Sequence, residues 1–220
     1  MSHPKQARSG AQPAVAAEPQ PHVYGEGRQK LLKAAARLAA SHGHTGFSLR
    51  ELAREAGLGH NSVYRHFESV DALMAALVHD FHQALRAGLS QARRRVPAGQ
   101  PPSKTVVPWL FDFAQANRDM FVVSMRERFR VAGESAEWVE QGLRDIESDM
   151  LREWAQAGRI PSPAPEVVAI AVRMIMEQSF LLCLECIHHP ERREALLHRA
   201  EMGYQWILGG AMQSLKAQSR

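Results

Sequence analysis

The chain has 220 residues, enough for one large domain or two small ones. Lys and Arg number 27 against 23 Asp and Glu, a formal charge of +4 with 11 histidines counted neutral, and 45% of the residues are hydrophobic. These values exclude wholesale disorder and permit nucleic-acid binding without requiring it, while two cysteines exclude a disulfide framework and fit a reducing compartment. No unbroken apolar run approaches 18 residues and the N-terminus lacks a signal-peptide stretch. The expectation is a soluble cytoplasmic protein without a membrane span.

Proline spacing punctuates the chain. Residues 1–24 are rich in Ala, Pro and Gln without periodicity and read as a disordered tail. Residues 25–96 carry helical periodicity, 103–160 form a second helical block, and 164–187 and 191–217 read as two long helices. No hairpin turn and no sustained alternation appears. The expected fold is all-α, with a unit over 25–69 and a larger unit over 70–220.

In the first unit Leu31, Ala35 and Leu38 share a helix face, and Gly43 and Gly46 end that helix. Ser48 with Glu51 three residues on forms a capping box, and Phe47 with Leu52 a hydrophobic staple, so a helix starts at 48. Gly57 ends it. A short helix over about 60–66 follows, with Val63 and Phe67 inward and His60, Asn61, Ser62, Tyr64, Arg65 and His66 outward. Two short helices joined by a glycine turn make a helix-turn-helix, whose second helix enters a DNA major groove. Asn61 suits base edges, while Ser62 and Tyr64 suit phosphates and Arg65 and His66 add charge near the backbone. Ser48 and Arg50, at the start of the preceding helix, complete the candidate DNA-binding set. Residues 25–67 hold seven Lys or Arg against three acids, matching the whole formal excess. A structural hairpin with a polar solvent face is the alternative.

Phe47-Ser48-Leu49-Arg50-Glu51-Leu52-Ala53, Ala56-Gly57 and Val63-Tyr64-Arg65-His66-Phe67 resemble the TetR family of bacterial transcriptional regulators over about residues 28–77. The resemblance implies a three-helix DNA-binding domain, phosphate contacts by Tyr64 and His66, and an all-α ligand-binding and dimerising domain. A lysine that relatives often carry at the start of the fourth helix is absent, since this chain reads Glu68-Ser69-Val70-Asp71 there.

Ser69 caps a helix running to about Arg95, with Leu73, Leu77, Phe81 and Leu85 on one face. The run Arg93-Arg94-Arg95 near its end reads as dipole compensation and solvation. Beyond it, Trp109, Phe113, Phe121, Met125, Phe129, Trp154, Met174 and Gln178 are candidates for the wall of an adaptable pocket, with structural core as the other reading. Arg126 and Arg128 stand beside apolar residues and suit an anionic head group. An exposed helix end with ordinary Arg–Glu pairs fits the same spacing. Asn117, Phe121, Arg126-Glu127-Arg128 and Val70-Asp71-Ala72-Leu73 are similar to the FabR and DesT types, which regulate unsaturated fatty acid synthesis. That resemblance implies a long-chain acyl-CoA effector, with Arg126 and Arg128 on the phosphates.

Residues 164–187 and 191–217 are too apolar for surface helices and suggest a homodimer through a four-helix bundle, which presents two recognition helices to an inverted repeat of double-stranded DNA. Cys183 and Cys186, near His188 and His189, read as core cysteines, with a metal or redox sensor as the alternative. No catalytic or cofactor motif appears, and neither an enzymatic activity nor a cofactor is expected. The sequence therefore points to a DNA-binding repressor modulated by a hydrophobic ligand and controlling lipid metabolism genes. A regulator of the same fold that senses xenobiotics is the rival reading.

Overall fold

A computed structural model describes residues 24–43, 46–131 and 133–218. The expected disordered tail lies outside these residues, apart from Tyr24. Among the described residues there are nine α-helices, one 3-10 turn and no strand. They are α1 (Tyr24–His42), α2 (Leu49–Glu55), α3 (His60–Tyr64), α4 (Val70–Arg94) and α5 (Ser103–Ala116). After these come α6 (Arg118–Glu127), α7 (Glu134–Gln156), α8 (Glu166–His188), the 3-10 turn Pro190–Arg192, and α9 (Arg193–Gln218).

Two hydrophobic cores divide the molecule. The first joins Leu31, Ala35 and Ala39 of α1, Leu49, Leu52 and Ala53 of α2, and Val63 and Phe67 around α3. Leu73, Met74 and Leu77 from the start of α4 and Val123 of α6 complete it. The second gathers α4 beyond Val78 with α5 through α9. Helices α4 and α6 contribute to both cores, so neither can shift without disturbing the other unit.

Helices α4 and α7 lie parallel and in register. His79 meets Trp138 edge-on at 4.4 Å, Arg86 reaches Asp145 and Asp149, and Arg93 reaches Glu153. A leucine or phenylalanine at every fourth position of α4, from Leu73 to Leu89, supplies the apolar stripe. At the closest approach α7 carries Gly142, where a Cβ would stand 2.6 Å from the His82 ring. The pairing therefore requires glycine there.

By length and composition α8 is apolar enough to cross a membrane. Arg173 and Glu177 interrupt its sequence, which is why a search for unbroken apolar runs passes over it. Here it is a core helix with half of its apolar window buried in protein. Its outer face leaves Ile170, Met174 and Leu181 about half exposed, and Trp206 of α9 is 70% exposed.

Candidate functional site

The nucleic-acid candidate is the α2–α3 unit. The side chain of Ser48 accepts from the Glu51 amide at 3.2 Å, and the Glu51 carboxylate accepts from the Ser48 amide at 2.8 Å. This is the expected capping box. Those bonds and the Ser48 hydroxyl hold the Glu51 carboxyl below its ordinary range. Phe47 and Leu52 are both buried in the first core. At the other end the Leu58 amide bonds to the Ala53 carbonyl at 2.9 Å and the Gly57 amide to Arg54 at 3.2 Å. This paired closure needs a left-handed residue, and Gly57 has φ +65°.

The turn delivers α3, in which Val63 is fully buried. Asn61, Arg65 and the half-exposed Tyr64 face outward, and Ser62 is partly buried. His66 is partly buried beside Gly27 of α1. The side chain of His60 lies outside the described residues. Arg50 is exposed and makes no ion pair among the described residues. Ser48 is exposed, but its hydroxyl is engaged by Glu51 at 3.0 Å. The frame behind α3 is braced by Arg28, which pairs with Asp80 at 3.1 Å and lies 5.9 Å over the Phe67 ring.

The second candidate is a partly open cavity of about 50 Å³ in the second core. Leu89 and Arg93 of α4 line it together with Val106 and Leu110 of α5. Ile146, Met150 and Trp154 of α7 form a further wall, and Met176, Ser179 and Phe180 of α8 with Tyr204 of α9 close it. Tyr204 and Ser179 are over nine-tenths buried, and neither hydroxyl has a hydrogen-bond partner among the described residues. Burial pushes the Tyr204 phenol up to about 12, while Arg159 and Arg93 act in the opposite direction.

Of the residues the sequence nominated for the pocket, Trp154 is on this wall. Trp109 and Phe113 stack at 5.1 Å beside it in the core, and Met125 is buried. Phe121 sits edge-on between Phe81 at 6.2 Å and Phe180 at 5.8 Å, one residue behind the cavity. Gln178 packs against α9 at Gly203. Phe129 is 72% exposed and Met174 half exposed, and neither lines this cavity. The two arginines expected at a ligand head group also lie apart from this cavity. Arg126 donates to the carbonyl oxygens of Ala40 at 2.6 Å and Ala39 at 3.4 Å, at the end of α1. Arg128 is held by Glu140 at 3.2 Å and Glu177 at 2.7 Å. The Arg–Glu pairing that the spacing left open for Arg128 is the arrangement found.

Sequence reasoning missed Arg93, Ser179 and Tyr204. Arg93 belongs to the basic run expected at a solvated helix end, but its side chain is 9% exposed and its Nε and Nη2 grip Glu153 at 2.5 and 3.0 Å. Cys183 and Cys186 are buried in α8, with the Gln115 amide donating to the Cys186 carbonyl at 2.9 Å. Burial pushes the Cys183 thiol well up, away from the thiolate that binds metal. Among the described residues no group of three or more His, Cys, Asp or Glu side chains could hold a metal.

The class these features define is an all-α protein with a TetR-type N-terminal domain. Residues 31–77, from the middle of α1 into α4, match the family described as "Bacterial regulatory proteins, tetR family". Along most of its length the chain is similar to the fatty acid degradation regulator FadR from Bacillus halodurans. The TM-score is 0.68 at 16% identity, covering 84% of this chain and 95% of that one. It is also similar to the transcriptional regulator FadR from Bacillus subtilis, solved with stearoyl-CoA, with a TM-score of 0.67 at 15% identity over 83% and 98%. A transcriptional regulator from Rhodococcus sp. Rha1 gives 0.66 at 22% identity over 83% and 96%. At these identities the likeness is one of fold.

Proposed function

We propose that this chain is a homodimeric transcriptional repressor that reads an inverted-repeat operator with α3 and changes its grip on DNA when a hydrophobic effector fills the cavity. The effector in this reading is a long-chain fatty acyl-CoA, and the regulated genes serve lipid metabolism. The observation that carries the DNA-binding reading is the outward face of α3, held by a capped, glycine-closed turn within the stretch that matches the TetR family. Asn61 contacts base edges, while Ser62, Tyr64 and His66 contact phosphates together with Arg50 and Arg65. The lipid reading is supported by the apolar cavity and by the named ligand of one neighbour. The outer faces of α8 and α9, with Ile170, Met174, Leu181 and Trp206, support the dimer contact.

An effector acts only through unequal affinity for the two DNA-binding states. The cavity is far smaller than the roughly 300–1,000 Å³ of an ordinary ligand site, so occupancy must push its walls apart. Those walls include α4, which runs into the DNA-reading unit, and Phe180, which leans on Phe121 of α6.

The test is fluorescence anisotropy of DNA flanking this gene at fixed salt, with and without oleoyl-CoA and palmitoyl-CoA, because phosphate contacts make affinity strongly salt-dependent. Tight binding that the two thioesters alter is expected. Asn61→Ala should relax preference at particular bases by about 1–3 kcal/mol, while Tyr64→Ala weakens all sequences alike. DNA affinity no tighter than for random duplex overturns the regulator reading.

A further inference from the structure

We propose that the wall between the cavity and the surface is a polar throat built for an anionic amphiphile, with its tail in the cavity, an acceptor atom on Tyr204, and its charged head outside on Arg94 and Arg159. The inference rests on the cavity being the effector site. It adds the chemistry of the ligand's junction and head, and it moves the head-group site from Arg126 and Arg128 to the opposite end of the effector unit.

Three observations converge on this wall. The first is its thinness. Pro102, Trp154 and Tyr204 line both the cavity and a surface depression of about 410 Å³ that holds Arg159. Arg93, Pro102 and Trp154 line both the cavity and a neighbouring cleft of about 670 Å³ that holds Arg94 and Arg159. A single layer of side chains therefore separates inside from outside.

The second is unsatisfied polarity. The hydroxyls of Tyr204 and Ser179 have no hydrogen-bond partner among the described residues, and Tyr204 lines both the cavity and the outer depression. A guest with a carbonyl or carboxylate oxygen at the throat supplies an acceptor for Tyr204. The phenol is a neutral donor at physiological pH, as an ordinary tyrosine is, and burial raises its pKa further.

The third is charge. Four arginines and two carboxylates line the outer cleft. Arg93 holds Glu153, while Arg86 and Arg152 hold Asp149. Arg94 donates to the Ser90 hydroxyl at 2.7 Å, and neither Arg94 nor Arg159 has a carboxylate partner among the described residues. The cleft is left with two available cations beside the throat, which favour a carboxylate or a phosphate. A free fatty acid and an acyl thioester of a phosphorylated carrier both meet this description. Met150 and Met176 in the cavity wall are side chains that can re-form around a tail.

The experiment uses the full chain and three sixteen-carbon probes: palmitoyl-CoA, palmitate and hexadecanol. Binding is followed by intrinsic tryptophan fluorescence, to which Trp154 on the cavity wall contributes, and folding is checked by the thermal midpoint. Tyr204→Phe should weaken palmitoyl-CoA and palmitate by about fivefold, the worth of one hydrogen bond. The Arg94→Ala, Arg159→Ala double variant should weaken palmitoyl-CoA at least tenfold and leave hexadecanol within twofold. A comparable loss for palmitate in the double variant would assign the head to a carboxylate, and a loss confined to palmitoyl-CoA would assign it to the phosphates. Cavity-blocking Met176→Trp should abolish binding of all three. If Met176→Trp abolishes binding while the throat variants bind every probe like the parent, the effector cavity stands and the throat is overturned. If the parent binds no probe, the effector reading fails and takes the throat with it.

Discussion

The two cores of this molecule are built on opposite rules. The first packs small residues, Ala34, Ala35, Ala36, Ala39 and Ala53, around a few leucines, so that three short helices meet at close range. Each end of α2 is closed by its own cap. The second packs phenylalanines, methionines and Trp154 around a cavity with unpaired hydroxyls on its wall. Close packing of small residues gives a frame that holds α3 in one pose. Large, adaptable residues around a small void give an interior that can be reshaped. The molecule joins a unit of small residues that carries α3 to a larger unit that holds the cavity, through α4 and α6; in the proposed function the first is the DNA reader and the second the effector sensor.

The largest expected effect tests the seam between cavity and reader. Phe121 is 2% exposed and wedged between Phe81 and Phe180. Phe121→Ala should cost about 3–5 kcal/mol in denaturant unfolding. A loss under 1 kcal/mol would mean that this part of the second core collapses freely around the gap and transmits little.

The next effect is pH-dependent. His82 is buried between α4, α6 and α7, with its Nε2 2.9 Å from the Ser124 hydroxyl and its Nδ1 unpartnered. Burial pulls its pKa down from 6.5 to about 4, with Glu140 opposing and His79 assisting. Because the folded-state value is depressed, the neutral ring supports the fold fully above pH 6.5. That support is lost as pH falls from 6.5 toward 4, by an amount on the order of 3 kcal/mol. His82→Gln keeps a side-chain polar group and should flatten the stability profile across that window. An unchanged profile would assign the acid sensitivity to other groups.

In the reader, Gly57→Ala places a Cβ at φ +65° and should cost about 1–2 kcal/mol. Ser48→Ala removes the cap of α2 and should cost about 1 kcal/mol. Thermal unfolding measures both. Operator affinity near the unfolding midpoint should fall with them, while base preference stays that of the parent, because neither change touches the exposed face of α3. An altered preference would put Ser48 itself in contact with DNA.

How far the sequence could be read follows the same division. The reader is legible because its signals are local: Ser48 to Glu51, Phe47 to Leu52 and Gly57 to Ala53 all lie within a few residues of one another. The helices of the sensor were legible from their apolar spacing, but its cavity was not. Met150, Ser179 and Tyr204 come from three separate helices, and each looks like ordinary core within its own. The contacts of Arg126 and Arg128 are illegible for the same reason. Their partners stand 86 residues away at Ala40, and 12 and 49 residues away at Glu140 and Glu177, so no local pattern announces them.

Arg126 makes the most discriminating prediction. The last carbonyls of a helix lack intrahelical partners and carry its negative end, so a guanidinium there is favourable on both counts. Helix α1 ends with the amide of Gly43 on the Ala39 carbonyl, and Arg126 of α6 reaches the Ala39 and Ala40 oxygens from the second unit. The same helix holds Phe121 against the cavity wall five residues earlier. Arg126→Ala should therefore loosen α1 locally, costing about 1 kcal/mol, or a few degrees in melting midpoint. All four tryptophans lie beyond residue 100, so their fluorescence reports the sensor, whereas circular dichroism reports both units. The expected result is an earlier transition by circular dichroism with an unmoved tryptophan midpoint, together with a smaller effector-induced change in operator affinity. If both probes shift equally, Arg126 stabilises the molecule as one block and is not a joint between reader and sensor.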